Sequence, residues 1–218
     1  MKVWLCSTKC TLDYNKLQIP TTDLNRILKY QQSQDQTNAF CSVLMQQYML
    51  RDHHRERKNY NISRTKYGKP YYIDNPNIGF NISHDNYMIM GAILESSGVI
   101  GCDIMMLTGR RSEVSCFESN FTVNEWKYIL DKDHLSYRRF LELWCLKEAY
   151  IKADGRGLII PLDDIEFSIN SGKAKMIYPA GYNCMLYNEE RWVGAIVWKS
   201  DASEETVIPK WLEIENIK

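Results

Sequence analysis

The sequence predicts a mixed α+β protein built from two similar α/β halves. Segments with strand-like and helix-like apolar spacing alternate along the 218 residues, which is typical of this fold class. The triplet "GAI" begins at Gly91 and again at Gly194, 103 residues later, and each copy closes a block that starts with a strand. We therefore predict a duplication with pseudo-twofold symmetry, with an N-terminal half over 1–98 and a C-terminal half over 99–218 that meet in a ligand-binding cleft.

The elements of the first half follow from its apolar pattern. Residues 1–10 are typical of a strand, and the spacing from about Thr22 to Tyr48 predicts a helix with Asp23 as a candidate cap. A long polar connection follows, with a turn over 68–70. The segments "IGFNIS" and "YMIMGAILE" predict two closing strands.

The second half repeats the scheme. "GVIGCDIMML" predicts a strand that Gly101 and Asp103 interrupt. "FTVNEWKYIL" and "YRRFLELWCLKEAYIKA" have helical spacing. "DDIEFSI", "KAKMIY" and "ERWVGAIVWKS" predict the final strands.

Composition argues against several classes of partner. Apolar residues make up 44% and charged residues 25%, and the 27 basic residues equal the 27 acidic ones, so neither nucleic acid nor an anionic membrane is favoured as the main partner. No apolar run approaches the roughly 20 residues of a membrane helix, and "MKVWLCSTKC" is too quickly polar for a signal peptide. Seven scattered cysteines favour reduced thiols in a cytoplasmic protein.

Charged residues stand in the helix "ELWCLKEAYIKADGRGL" where apolar ones are expected. Lys147 falls in the middle of the apolar arc, Glu148 lies beside it, and Lys152 follows one turn later. One interpretation is a Glu148–Lys152 salt bridge on a solvated face. The other is that these charges face a polar ligand, since unpaired buried charge is unfavourable.

Asp103 favours the second interpretation. It interrupts an apolar strand, although a turn after Gly101 would also explain it. Two misplaced carboxylates with lysines nearby fit a Mg²⁺–phosphate site. Three further candidates are Lys69, held between Gly68 and Pro70, and the pair Ser83 and His84; an ordinary turn is the alternative for each.

These elements occur in an order that resembles one family, the 4′-phosphopantetheinyl transferases, in their larger monomeric form with two similar halves. The matching segments are "GKP" at 68–70, "FNISH" at 80–84, "GCDIM" at 101–105, "FTVNEW" at 121–126 and "WCLKEAYIKADGRGL" at 144–158. The last has the family form W-x-x-K-E-x-x-x-K-x-x-G.

The resemblance implies a reaction and roles within it. A serine hydroxyl of a carrier domain would attack the β-phosphate of coenzyme A, so that 3′,5′-ADP leaves. Asp103 and Glu148 would bind Mg²⁺, for which Mn²⁺ is a substitute, and Glu148 would also help to take the serine proton. Lys152 would contact the phosphates.

The coenzyme A and carrier contacts are also implied by the resemblance. Lys69, Ser83 and His84, together with Lys152, would bind coenzyme A, and Glu125 is a further candidate near the metal. Arg110 and Arg111 are candidates for contact with an acidic carrier.

One departure concerns the metal. Many bacterial members have a second acid at the position of Met105, and the "GCDIM" form is similar to eukaryotic members, including the human enzyme and the fungal enzymes that activate aminoadipate reductase for lysine biosynthesis. A water would replace the missing ligand, so Met105 is not a predicted ligand.

We expect a monomer acting on apo acyl or peptidyl carrier domains, of aminoadipate reductase or fatty acid synthase. The alternatives are a Mg²⁺-dependent nucleotide phosphohydrolase and a non-enzymatic module that binds coenzyme A or a carrier.

Overall fold

Two sheets with the same strand order form the framework of the protein in the computed structural model. The structure describes residues 1–9, 19–55, 60–94, 98–108, 111–131, 133–157, 159–199 and 207–213. The first elements are β1 (Lys2–Ser7), α1 (Thr21–Ile27), α2 (Ser33–His54), β2 (Ile62–Arg64), β3 (Pro70–Tyr72), β4 (Gly79–Asp85) and β5 (Met88–Leu94). The later strands and helices are β6 (Ile100–Met106), α3 (Val123–Leu130), α4 (Ser136–Asp154), β7 (Glu166–Asn170), β8 (Lys173–Tyr178), β9 (Asn183–Asn188), β10 (Trp192–Trp198) and β11 (Lys210–Leu212). Short 3-10 helices cover Arg111–Asn120, Asp133–Leu135 and Leu162–Asp164.

The matching strand order confirms the α+β prediction with two similar halves. In the first sheet β5 lies between β1 and β4, and in the second β10 lies between β6 and β9. Both central strands carry the repeated triplet, and each pairs antiparallel with the first strand of its half. Gly91 faces Trp4 across one pair, and Gly194 faces Ile104 across the other.

Alternation along the strands divides the core into three apolar clusters. Val3 and Leu5 of β1 face the second sheet, whereas Trp4 and Cys6 pack in the cluster beneath α2. The even positions of β6 complete the cluster between the sheets, and α4 covers the other face of the second sheet. The odd positions of β6, which include Asp103, therefore face α4.

The C-terminal strand lies on the first sheet. β11 pairs parallel with β1, with Lys210 opposite Trp4 and Leu212 opposite Cys6. The sequence division at residue 98 assigns this segment to the second half, and its strand character was not predicted. None of the helices in the described part of the chain is long and apolar enough to cross a membrane.

Two local predictions in the first half were wrong. The helix predicted from Thr22 to Tyr48 is broken into α1 and α2, and α2 continues to His54. The residue that caps α1 is Pro20, while Asp23 lies in the first turn and pairs with Arg26 at 3.3 Å. The break, residues 28–32, falls mostly within a polar run, residues 29–36.

Gly101 lets β6 approach α4 very closely. A Cβ at this position would lie 2.0 Å from the Ala149 carbonyl oxygen and 2.3 Å from the Ala153 amide nitrogen. We expect Gly101→Ala to destabilise the protein by at least about 3 kcal/mol, because backbone atoms cannot move aside as a side chain can. Urea unfolding measures this. Gly172→Ala is the control: Gly172 has φ +76° but open space, so we expect a loss of only about 1 kcal/mol. Equal losses would show that the close approach is unimportant.

Candidate functional site

Three side chains at every second position of β4 join the first sheet to the second. Asn81 Oδ1 accepts a hydrogen bond from the Cys102 amide at 3.0 Å, and Asp85 Oδ2 accepts one from the Met106 amide at 2.6 Å. Between them, the Ser83 hydroxyl donates to Asp103 Oδ1 at 2.7 Å. We call this set, Asn81, Ser83 and Asp85, the β4 seam. It holds β6, and hence Asp103, against β4.

The seam corrects two interpretations of the sequence. Ser83 and His84 lie inside β4, not in a turn beyond a shorter strand. Asp103 lies inside β6, paired with Ala195, so the turn alternative is wrong. Asp103 fits within the strand because the β4 side chains that face β6 are polar as well.

Asp103 and Lys152 form the centre of the site. Lys152 Nζ lies 2.6 Å from Asp103 Oδ1 and 2.8 Å from Ser83 Oγ. The Asp103 side chain is 6% exposed and that of Lys152 is 29% exposed, so the ammonium lies at the border between core and solvent. Burial alone would lower the pKa of Lys152, but the contact with Asp103 outweighs it and raises that pKa.

Glu148 lies one turn before Lys152 on α4 and is half-buried. Its carboxylate makes no hydrogen bond or salt bridge with any residue in the described part of the chain. Desolvation raises the pKa of Glu148; Lys152 opposes this shift and Asp103 adds to it, so both charges lie near it. The Glu148–Lys152 salt bridge, one of the two interpretations of the sequence, is not formed, because Lys152 pairs with Asp103.

The two carboxylates suit a hard divalent cation. Asp103 Oδ2 is buried and has no hydrogen-bond partner among the described residues, and Glu148 is similarly unengaged. Buried, unpaired acceptors of this kind are normally satisfied by a ligand. Over the same residues, no group of three or more His, Cys, Asp or Glu could hold a metal ion. A pair of carboxylates completed by water and substrate oxygens is the set that Mg²⁺ prefers.

Lys147 and Glu125 form a separate, fully buried ion pair. Lys147 Nζ lies 2.7 Å from Glu125 Oε2, and both side chains are 0% exposed. The ammonium also donates to the carbonyls of Leu162 and Ile165. Burial lowers the pKa of Lys147 and raises that of Glu125, and their mutual contact opposes both shifts. Lys147 thus faces away from Asp103 and has a partner within the fold.

Glu125 has a further structural task at the start of α3. Its side chain accepts from the Thr122 amide at 2.9 Å and from the Phe167 amide at 2.9 Å, and it completes a capping box with Thr122. The structure therefore brings Ser83, Asp103, Glu148 and Lys152 together and engages Glu125 elsewhere. A role for Glu125 at the metal stays a prediction.

Two open cavities lie beside β4 and share part of their lining. The first, of about 230 Å³, is lined by Lys69 and Lys152. The second, of about 140 Å³, is lined by Arg26, Arg64 and His84. Pro70, Asn81 and Ile82 line both cavities, so the two cavities are neighbours with basic side chains in each, and we call them together the basic trough.

Arg26 and Arg64 were missed by the sequence analysis. Arg26 Nε is buried and has no hydrogen-bond partner among the described residues. Desolvation and then the charge of Arg26 lower the pKa of Arg64, which shows that like charges gather here. Desolvation, followed by the charge of Lys152, likewise lowers the pKa of His84. Neither arginine stands in a motif, so only the fold reveals them.

The predicted carrier contacts are not described at side-chain level. Arg110 lies outside the described residues, and Arg111 begins the 3-10 helix Arg111–Asn120, where its side chain is not described. Met105 is half-buried and packs against the apolar cluster beneath α4.

Two family models match separate regions of the chain. The model of the 4′-phosphopantetheinyl transferase superfamily matches residues 99–197, and that of the 4′-phosphopantetheinyl transferase N-terminal region matches residues 4–95. Together they account for most of the chain. The chain belongs to the 4′-phosphopantetheinyl transferase family. The first region carries Asp103, Glu148 and Lys152, and the second carries Lys69, Ser83 and His84.

Individual relatives are similar over about half of the chain. The 4′-phosphopantetheinyl transferase ffp of Bacillus subtilis is 34% identical over 131 residues, which are 59% of this chain and 54% of that protein. The L-aminoadipate-semialdehyde dehydrogenase-phosphopantetheinyl transferase of Mus musculus is 34% identical over 122 residues, 50% of this chain and 39% of the relative. The matched region thus spans about half the length, or less, of these transferases.

A solved structure shows a more distant likeness. It is a holo-(acyl-carrier-protein) synthase from Bacillus anthracis in complex with CoA (3′,5′-ADP). The alignment has 24% identity and a TM-score of 0.41, and it covers 46% of this chain and 96% of that one.

Proposed function

We propose that this protein transfers the 4′-phosphopantetheine group of coenzyme A to a serine of an apo carrier domain, giving holo-carrier and 3′,5′-ADP. The observation that carries the proposal is the basic trough, which reaches Lys152, the lysine that pairs with Asp103 and lies one turn after Glu148. Coenzyme A is a polyanion with a diphosphate in its middle and a phosphate at its nucleoside end. Its charge distribution matches a trough lined by cations, one of which, Lys152, contacts the carboxylate of Asp103.

The adenosine end would lie toward α1. Arg26, Arg64 and His84 offer donors for the 3′-phosphate, and Arg26 Nε is a buried donor that lacks a partner among the described residues. This placement extends the nucleotide across the cavity of Lys69 and brings its diphosphate to Lys152.

The carboxylates Asp103 and Glu148 would hold Mg²⁺, or Mn²⁺ in its place. When bound there, the cation supplies neutralisation of the diphosphate charge. Met105 leaves the remaining ligand positions to water and phosphate oxygens.

The transfer requires one bond to form and one to break. The serine oxygen forms a bond to the β-phosphorus, the bond from that phosphorus to the bridging oxygen breaks, and its electron pair leaves with 3′,5′-ADP. Lys152 stabilises the charge that develops on the phosphates. Glu148 would accept the serine proton, directly or through water.

Carrier identity and setting belong to the same proposal. The mouse relative's name refers to L-aminoadipate-semialdehyde dehydrogenase, which supports a carrier domain of aminoadipate reductase and a role in lysine biosynthesis; a fatty acid synthase carrier is the second candidate. Both halves lie in one chain, which supports a monomer. All six cysteines in the described part of the chain have free thiols, which supports a cytoplasmic setting.

Intact-protein mass spectrometry tests the proposal. Apo carrier domains of aminoadipate reductase and fatty acid synthase are incubated with the protein, coenzyme A and Mg²⁺. We expect a mass gain equal to one phosphopantetheine on at least one carrier, and none after EDTA or with the carrier's serine replaced by alanine. Coenzyme A binding without transfer would instead indicate a binding module, and cleavage of coenzyme A without a carrier would indicate a phosphohydrolase.

A further inference from the structure

Lys69 directly precedes β3, as the last residue of the turn that joins β2 to β3. The Thr65 amide donates to the Lys69 carbonyl at 2.9 Å, and the Lys69 amide donates to Thr65 Oγ1 at 3.2 Å. Gly68 supplies the left-handed conformation of the turn, with φ +88°. The side chain of Lys69 is thus presented in a fixed direction, toward the C-terminal half.

The ammonium of Lys69 is bound to two backbone carbonyls of that half. Nζ donates to the Ala153 carbonyl at 2.6 Å and to the Ile100 carbonyl at 3.1 Å. Ile100 begins β6, and Ala153 lies in the last turn of α4. A cation at the C-terminal end of a helix is favourable, because the last carbonyls lack partners within the helix.

The aliphatic part of Lys69 is held as closely as its ammonium. It passes over Gly155, where a Cβ would lie 2.9 Å from Lys69 Cδ. Desolvation lowers the pKa of Lys69 to about 8, against the opposing charge of Asp154. The side chain is therefore packed and engaged, unlike a lysine that projects into a cavity to meet an anion.

We propose that Lys69 is a positioning residue that latches β6 to the end of α4, and that it does not bind the 3′-phosphate of the nucleotide. This inference rests on the proposed function and changes one of its expected contacts. Ile100 lies on the strand that carries Asp103, and Ala153 directly follows Lys152. The latch thus fixes the strand and the helix whose side chains meet in the Asp103–Lys152 contact.

The first test compares coenzyme A with dephospho-coenzyme A, which lacks the 3′-phosphate. For Lys69→Met we expect kcat to fall by about tenfold to a hundredfold with both substrates, because small misplacement of reacting groups is enough for such losses. The ratio of the two kcat/KM values should stay at that of the wild type. Lys69→Arg, which keeps a cation with several donors, should recover part of kcat.

His84→Gln calibrates this comparison. His84 lies in the arginine-lined cavity, so its replacement should reduce the preference for coenzyme A over dephospho-coenzyme A. If Lys69→Met also brings that ratio toward one, Lys69 binds the phosphate and the latch is refuted. Binding constants for both nucleotides, measured by calorimetry, must show the same pattern.

Hydrogen exchange with mass spectrometry provides a second test that needs no activity. In Lys69→Met, amides of peptides covering residues 98–104 and 149–157 should exchange faster, because both segments lose their shared partner. Lys175→Met is the matched control, since Lys175 is an exposed lysine of β8. Unchanged exchange at both segments would refute the latch. If the wild type transfers nothing to any carrier, the proposed function fails, and this exchange experiment alone decides the role of Lys69.

Discussion

Replacement of Asp103 by asparagine should reduce the rate of phosphopantetheine transfer by about 10²–10³-fold, a loss typical for a group that stabilises transition-state charge. Asparagine keeps the size of the side chain and a hydrogen bond to Ser83 or Lys152. It removes the negative charge that a divalent cation needs. The rate is measured by the appearance of holo-carrier, and the Mg²⁺ concentration at half-maximal rate should rise in the same assay.

Asp131→Asn is a matched control for this variant. The Asp131 side chain is 62% exposed and, among the described residues, pairs with Arg139 alone, so its replacement should leave both the rate and the melting temperature unchanged. A wild-type rate in Asp103→Asn would show that the metal assignment is wrong. A low rate together with a collapsed melting temperature would indicate a structural role for Asp103 instead.

Replacement of Lys147 by methionine should destabilise the fold by about 3–5 kcal/mol, because the carboxylate of Glu125 would remain buried without its cation. The carbonyls of Leu162 and Ile165 would also lose their donor. In a chain of this length the loss corresponds to a fall in melting temperature of about 10 °C. Calorimetry or urea unfolding measures it.

The double variant Glu125→Gln/Lys147→Met isolates the ion pair. It removes both charges, so its stability should exceed the value expected by adding the two single losses. Lys127→Met is the surface control, because Lys127 is exposed on α3, and it should change stability by less than about 0.5 kcal/mol. If Lys147→Met were equally mild, the buried pair would contribute nothing.

The sequence predicted which kinds of residue form the site, but it did not predict which of them contact each other. Asp103 was recognisable because it carries a charge in an otherwise apolar strand, and Lys152 because it follows Glu148 by one helical turn. Their direct contact was not, since it depends on how closely β6 approaches α4 at Gly101. The same limit left the Glu148–Lys152 salt bridge open as an alternative: helical spacing indicates which residues are neighbours along α4, but it does not show which strand faces them.

Partners that are distant in sequence account for most of what was missed. Lys147 was noticed as a misplaced charge, but its partner Glu125 lies on another helix, and only the packing of α3 against α4 brings them together. Arg26 and Arg64 do not stand in any sequence motif. They became candidates only because both line the same cavity. β11 has only three residues and an exposed tryptophan, Trp211, so its pairing with β1 leaves little local signal.

At the β4 seam, the length of side chains sets the distance between the two halves. A continuous sheet would fix neighbouring strands at one separation, since backbone hydrogen bonds have a single length. Across the seam, side chains bridge the gap instead. A change of one methylene at Asp85 or Asn81 therefore alters how far β6 stands from β4, and the apolar cluster between the sheets must repack with it. Point substitutions at these few positions thus offer a route to widen or narrow the space between the halves for different acceptors.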